Sequence, residues 1–173
     1  MAITNKRNIW LYSSEGNVAP AKLNLKIAAS QGTFIPGTLF YMSTSGTLKK
    51  SDTADGTGDL YQYMALQEVT SELAANTEIP VIRITEDQIF AVYLENNTAD
   101  LAATQALIGD QYGLTIATAA PIGYVTVDIN NGNACVEVVN IMPNVEPSKN
   151  TTSDSPGIAL VRFLDTVLHG TRA

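Results

Sequence analysis

The chain has 173 residues, of which 45% are hydrophobic, 16% charged and 7% aromatic, and its formal net charge is −7. That length supports one domain with a proper core, and the mean hydropathy of +0.06 is that of an ordinary folded, soluble protein. Ten lysines and arginines, scattered against seventeen acids, exclude the phosphate-neutralising surface that nucleic acid or an anionic membrane requires.

Residues 1–20 are expected to form an extended N-terminal arm. Its apolar run, Ile9-Trp10-Leu11-Tyr12, is too short for the core of a signal peptide. No stretch of the chain reaches the about 18 apolar residues of a membrane helix, and the single cysteine excludes an internal disulfide. These features fit a chain made in the cytoplasm. Residues 21–173 are expected to form a single β-barrel-like domain. In "AKLNLKIAA", Leu23, Leu25 and Ile27 alternate with Lys22, Asn24 and Lys26, the period-two pattern of a half-buried strand. "TFIPGTLFYMST" reads as a strand broken at Pro36-Gly37 by a bend or bulge. The polar, glycine-rich residues 43–59 read as a surface loop.

"EIPVIRITEDQIFAVYL" holds two strand-like runs joined through Glu86-Asp87. Residues 98–109, "TADLAATQALIG", predict a short helix capped by Thr98, with Leu101 and Leu107 inward and Gly109 ending it. "YGLTIAT" predicts a further strand. In "DINNGNACVEVV", Asn131-Gly132 is the dipeptide that type I′ hairpin turns favour. A hairpin there places Val125, Val127 and Ile129 on one face opposite Val138, Val136 and Ala134, with Cys135 half-buried on the other, mixed face. The competing calcium-loop reading fails, because glycine falls fifth rather than sixth and Val139 stands where a bidentate glutamate is needed. Residues 142–157 read as a second polar loop. "IALVRFL" after Pro156-Gly157 predicts a strand; "LVRFLDTVLHG" could also form a helix, with Val161, Leu164 and Leu168 on one face, but alternation and β-branching favour a strand over at least its first half. The whole is an all-β chain, a small β-barrel or β-sandwich of short antiparallel strands with at most one short helix.

Catalytic groups are sparse. A nucleophilic triad or a zinc site has only His169 to draw on, and Cys135 has no histidine near it in sequence. Asp52, Asp55 and Asp59 could offer calcium several oxygens, but their spacing fits a solvated turn better. The "IGDQYGL" glycines lead into a strand rather than opening a helix, so a phosphate loop is not expected. Glu86, Asp87, Glu95 and Asp100 are the carboxylates a glycoside hydrolase would need, in a chain poor in sugar-stacking aromatics. No enzyme activity, cofactor or metal is expected. Ile9, Trp10 and Tyr12 are the candidate interaction residues, because aromatic side chains are enriched at interface hot spots; the competing possibility is that they close the chain's own barrel.

In their order, "AASQGTFIPGTLFYMSTSGTLKKSD", "ITEDQIFAVYL", "ALIGDQYGLTIA" and "GIALVRFLDTVLHG" resemble the small β-barrel capsid decoration (cement) proteins of tailed bacteriophages. The resemblance covers most of the chain from Ala21 onward. It implies a viral structural protein on the outer surface of the virion capsid. Its partners would be the major capsid protein and copies of itself as a homotrimer, with no active site to carry over. The rival expectation is a phage tail or receptor-binding module that recognises host glycan or protein.

Overall fold

The structure is a computed structural model that describes residues 8–14, 19–51, 60–96, 99–117, 125–142 and 157–169. It is mostly β and contains a closed five-stranded barrel and one short helix. Its first sheet contains β1 (Trp10–Ser14), β7 (Gln88–Asn96), β8 (Ala99–Asp100), β9 (Gln111–Ile116), β10 (Val125–Asp128), β11 (Val136–Ile141) and β12 (Ile158–Phe163). The second contains β2 (Lys22–Lys26), β3 (Leu39–Met42), β4 (Leu48–Lys50), β5 (Tyr63–Ala65) and β6 (Glu78–Arg83). The helix α1 (Asp165–His169) follows β12.

The first sheet runs in the order β7-β10-β9-β11-β12 and closes where β12 returns to β7. All of its pairings are antiparallel except β7 with β10, where Thr126, Val127 and Asp128 lie beside Tyr93, Leu94 and Glu95. The inward residues follow the two-residue period. Phe90, Val92 and Leu94 of β7, Val125 and Val127 of β10, and Ala159, Val161 and Phe163 of β12 all enter one core.

The second sheet is buried on both faces over its central strands. Leu39, Met64 and Ile82 face the barrel core, while their neighbours Phe40, Ala65 and Val81 face a second core with Ile27, Phe34, Leu48 and Ile79. Adjacent residues on one strand thus serve different cores, and that sheet is the wall between them. Its ends are tied together as well, because Ile27 bridges Leu48 and the Ala28 amide donates to the Leu48 carbonyl at 2.9 Å. α1 fastens the junction. Val167 and Leu168 are buried in the barrel core, and the Val167 carbonyl accepts from the Tyr61 amide at 2.8 Å.

Three expectations need correction. The Asn131-Gly132 hairpin does not form: β10 and β11 are not paired, since β9 lies between them and bonds to both. No left-handed φ occurs at Asn131 or Gly132, which a type I′ turn requires. The turn is built instead from short polar side chains. Asp128 Oδ1 accepts from the Asn130 amide at 2.9 Å and Asn131 Oδ1 from the Asn133 amide at 3.1 Å. Val125, Val127, Val136 and Val138 still share the core as expected, but Cys135, expected half-buried on the mixed face, is fully buried in the same core.

Residues 99–109 are not an α-helix. They hold β8, an extended run and one 3₁₀ turn at Gln105–Leu107. The Leu101 amide donates to Leu94 and its carbonyl accepts from Gly157, so the backbone there is bonded to the barrel rather than to itself. Leu101 and Leu107 still pack against the core as expected; Thr98 lies outside the described residues. The stretch read as a loop from residue 43 contains β4, whose Leu48 is fully buried beneath the turn. Most of the second loop, residues 143–156, lies outside the described residues.

Two substitutions test this division of labour. Phe163 meets Phe90 at 5.4 Å and Tyr61 at 5.9 Å between ring centroids, so it links β7 to the segment entering β5. Phe163→Ala is expected to cost about 3–5 kcal/mol in urea unfolding. Thr38 is fully buried and its hydroxyl has no partner among the described residues. Thr38→Val should leave stability within about 1 kcal/mol of the parent or raise it, because no hydrogen bond is lost.

Candidate interaction surface

His169 sits on α1 with Nε2 3.5 Å from Asp165 Oδ1, on an exposed helix face. Cys135 is buried, with its thiol donating to the Asn133 carbonyl at 3.0 Å. Glu95 lies beside Asp128 in the β7–β10 pairing and opposite Asp100 in the β7–β8 pairing. Its Oε1 is buried and has no hydrogen-bond partner among the described residues. Asp52, Asp55 and Asp59 lie outside the described residues. Among the described residues no three His, Cys, Asp or Glu side chains are arranged to hold a metal ion.

Glu86 and Asp87 open onto a hollow of about 490 Å³ that also takes in Glu137, Asp165 and Arg162. Arg162 is engaged there, donating to Glu137 Oε2 from Nη2 at 3.0 Å and from Nε at 3.3 Å. This hollow is acidic and open to water. On β9, burial and then the hydrogen bond and negative charge of Asp110 raise the Tyr112 pKa above its ordinary value of 10. That tyrosine stays protonated at neutral pH and contributes no charge to the surface.

A different surface forms where β1 faces the second sheet. A groove of about 460 Å³ runs between Ile9, Trp10 and Leu11 on one side and Ile35, Leu66 and Ile82 on the other, and among the described residues no charged one lines it. Leu66 is 40% exposed at its rim, and Tyr12 on the same β1 strand is 46% exposed. Trp10 is held edge-on against Tyr93 at 6.2 Å. Among the described strands β1 pairs with β7 alone and ends the strand order of its sheet. Its pairing is irregular between Leu11 and Ser13, and Tyr12 is the residue left without a partner in the register.

The groove is held open by a polar clamp. Asn8 Oδ1 accepts from the Val125 amide at 2.7 Å, and its Nδ2 donates to the Pro36 carbonyl at 3.0 Å. One side chain thus ties the start of β1 to the barrel and to the turn before β3. Gly37 completes the joint with φ +91°. A β-carbon there would lie 2.5 Å from the Ile9 carbonyl oxygen and 2.9 Å from the Asn8 side chain.

The three residues singled out from sequence therefore have unequal positions. Ile9 is 2% exposed and belongs to its own core, Trp10 is partly buried beside the groove, and Tyr12 projects. The described part of the arm is a strand of the chain's own first sheet. Leu66, Ile35 and Asn8 had no mark in the sequence; the one available sign was an isolated leucine in the otherwise polar "LQE" after β5. Comparison with known proteins finds no family model and no curated protein that matches the chain.

Asn8→Ala is expected to cost about 1–3 kcal/mol, since it leaves the Val125 amide without its side-chain acceptor. Hydrogen exchange should show the amides of β1 opening faster while those of β12 keep their protection. Equal acceleration in both strands would mean that Asn8 supports the whole fold rather than the groove.

Proposed function

We propose that this chain is a structural protein that binds the outer surface of a tailed-phage capsid and cements contacts between neighbouring major capsid proteins. The uncharged groove beside the outer edge of β1 carries this reading. An open strand edge next to apolar pockets is suited to accept an extended segment of another protein, with main-chain hydrogen bonds supplying affinity and alternate side chains entering the groove. The occupant we assign to it is an extended segment of the major capsid protein. The described lining of the groove, which carries no charge, matches such a segment when its side chains are apolar or neutral, whereas a phosphate or sugar ligand would leave most of its polar groups unbonded.

Cementing then follows from mass action. A protein that binds only the assembled lattice stabilises that lattice, and many modest contacts repeated over a shell hold it strongly. Assembly as a homotrimer would multiply these contacts at each position. The resemblance in sequence order to decoration proteins supports the same reading.

Co-sedimentation of the purified chain with capsids stripped of decoration is the test. Wild-type chain is expected to pellet with capsids and raise their disassembly temperature. Leu66→Asp, at an exposed rim position, should weaken binding about tenfold or more while shifting the chain's own melting temperature by no more than about 2 °C. Failure of the wild-type chain to bind any such capsid, together with binding to a host glycan panel, would replace this reading with the receptor-binding one.

A further inference from the structure

The Asn131-Gly132 pair is the only Asn-Gly dipeptide in the chain, and the expected hairpin does not explain it. The fold does not need its glycine. Gly132 has no left-handed φ, and a β-carbon there would meet nothing. Its partner Asn131, in contrast, is engaged at every polar group. The Asn131 amide donates to the Asp128 carbonyl at 3.1 Å, and its carbonyl accepts from the Gly113 amide at 2.9 Å. Its Nδ2 donates to the Leu114 carbonyl at 3.2 Å, and its Oδ1 accepts from the Asn133 amide at 3.1 Å. The carboxamide lies directly against Gly113, where any β-carbon would collide with it. Asn131 is a latch on the middle of β9, and Gly113 is the seat cut for it.

We propose that Asn131-Gly132 is a latent site of self-modification, blocked while Asn131 is docked on β9 and exposed when that end of the barrel opens. The reaction is the loss of ammonia through a cyclic imide. The Gly132 nitrogen gives up its proton and bonds to Asn131 Cγ, while the Cγ–Nδ2 bond breaks and ammonia leaves. Water then opens the five-membered ring at either carbonyl, which yields aspartate or isoaspartate. One water is consumed and one ammonia released, and nothing is oxidised or reduced. A glycine after the asparagine favours the step because it puts no side chain in the way of the attacking nitrogen.

The docked geometry opposes the reaction on two counts. The carboxamide must swing over the backbone to meet the Gly132 nitrogen, which requires leaving Leu114, Asn133 and the Gly113 seat together. The departing nitrogen is also the atom held by the Leu114 carbonyl. Local opening releases both constraints, so the modification reads out how often this part of the barrel opens. The product cannot relatch. An aspartate would set a carboxylate against the Leu114 carbonyl, and isoaspartate lengthens the backbone by one carbon between the Asp128 and Gly113 hydrogen bonds. Each opening that reacts therefore leaves β9 permanently loosened.

The experiment uses the full chain at mildly alkaline pH in water enriched in heavy oxygen, with peptide mapping by mass spectrometry. Conversion at Asn131 is expected to be at least about tenfold faster in urea above the unfolding midpoint than in buffer. Gly132→Ala should fold with an unchanged melting temperature and should suppress conversion in urea. Asn131→Asp should lower the melting temperature, and its β9 amides should exchange faster. Equal rates in buffer and urea would overturn the masking, and absence of conversion in urea would overturn the site itself.

Discussion

The fold depends on one strand serving four others. β7 has nine residues, and each of its two edges is shared. Along one edge β1 pairs with Gln88, Ile89, Phe90 and Ala91, and β10 takes over at Tyr93, Leu94 and Glu95. Along the other, β12 pairs from Phe90 to Tyr93 and β8 continues at Glu95 and Asn96. A strand twists along its length, so the two halves of a long strand can present their edges to different neighbours. The first half binds the N-terminal strand, and the overlapping second half closes the barrel. Barrel closure removes the exposed edges that invite uncontrolled association. On β7 that closure leaves β1 as the outermost strand.

The second sheet solves a related problem by burial instead of closure alone. Strands packed on both faces lose the alternation of polar and apolar residues and become continuous hydrophobic runs, because every side chain meets a core. β6 illustrates this: Ile79, Val81 and Ile82 are all buried, although neighbours on a strand point in opposite directions. Two cores on either side of one wall couple the N-terminal sheet to the barrel. Phe34 against Phe40 at 5.1 Å fills one side, and Tyr61, Phe90 and Phe163 fill the other.

What could be read in the sequence follows from the range of the forces involved. The strand at "AKLNLKIAA" was legible because the burial of Leu23, Leu25 and Ile27 against exposed lysines depends on one face of one strand. The all-β class was legible for the same reason. The pairing of strands was not. Asn131-Gly132 carries a strong local preference for a tight hairpin, yet β9 is inserted between the two strands, and its hydrogen bonds to both outweigh that preference. "TADLAATQALIG" carries helical spacing, but its backbone finds partners outside itself, at Leu94 on β7 and at Gly157, which is far away in sequence. The groove was legible only in half. Trp10 and Tyr12 stand out as rare aromatic residues, whereas Asn8, Ile35 and Leu66 acquire meaning only when two sheets bring them together.

The same topology separates stability from interaction. Residues that close the barrel, such as Val127 and Val161, are fully buried and have no surface to offer. β1 is different, because among the described strands it pairs with β7 alone, and Ile9 just before it is anchored in the core while Tyr12 remains outside. An anchored strand presents its outer edge with little conformational freedom left to lose, so a partner strand meets a pre-organised template rather than a flexible tail. The Asn8 clamp and the Gly37 turn set the distance between that edge and the second sheet, and so fix the width of the groove. Changes at the clamp should therefore act on binding through geometry, and changes at Leu66 through contact. These are two separable effects of one surface, and only the second leaves the chain's own stability untouched.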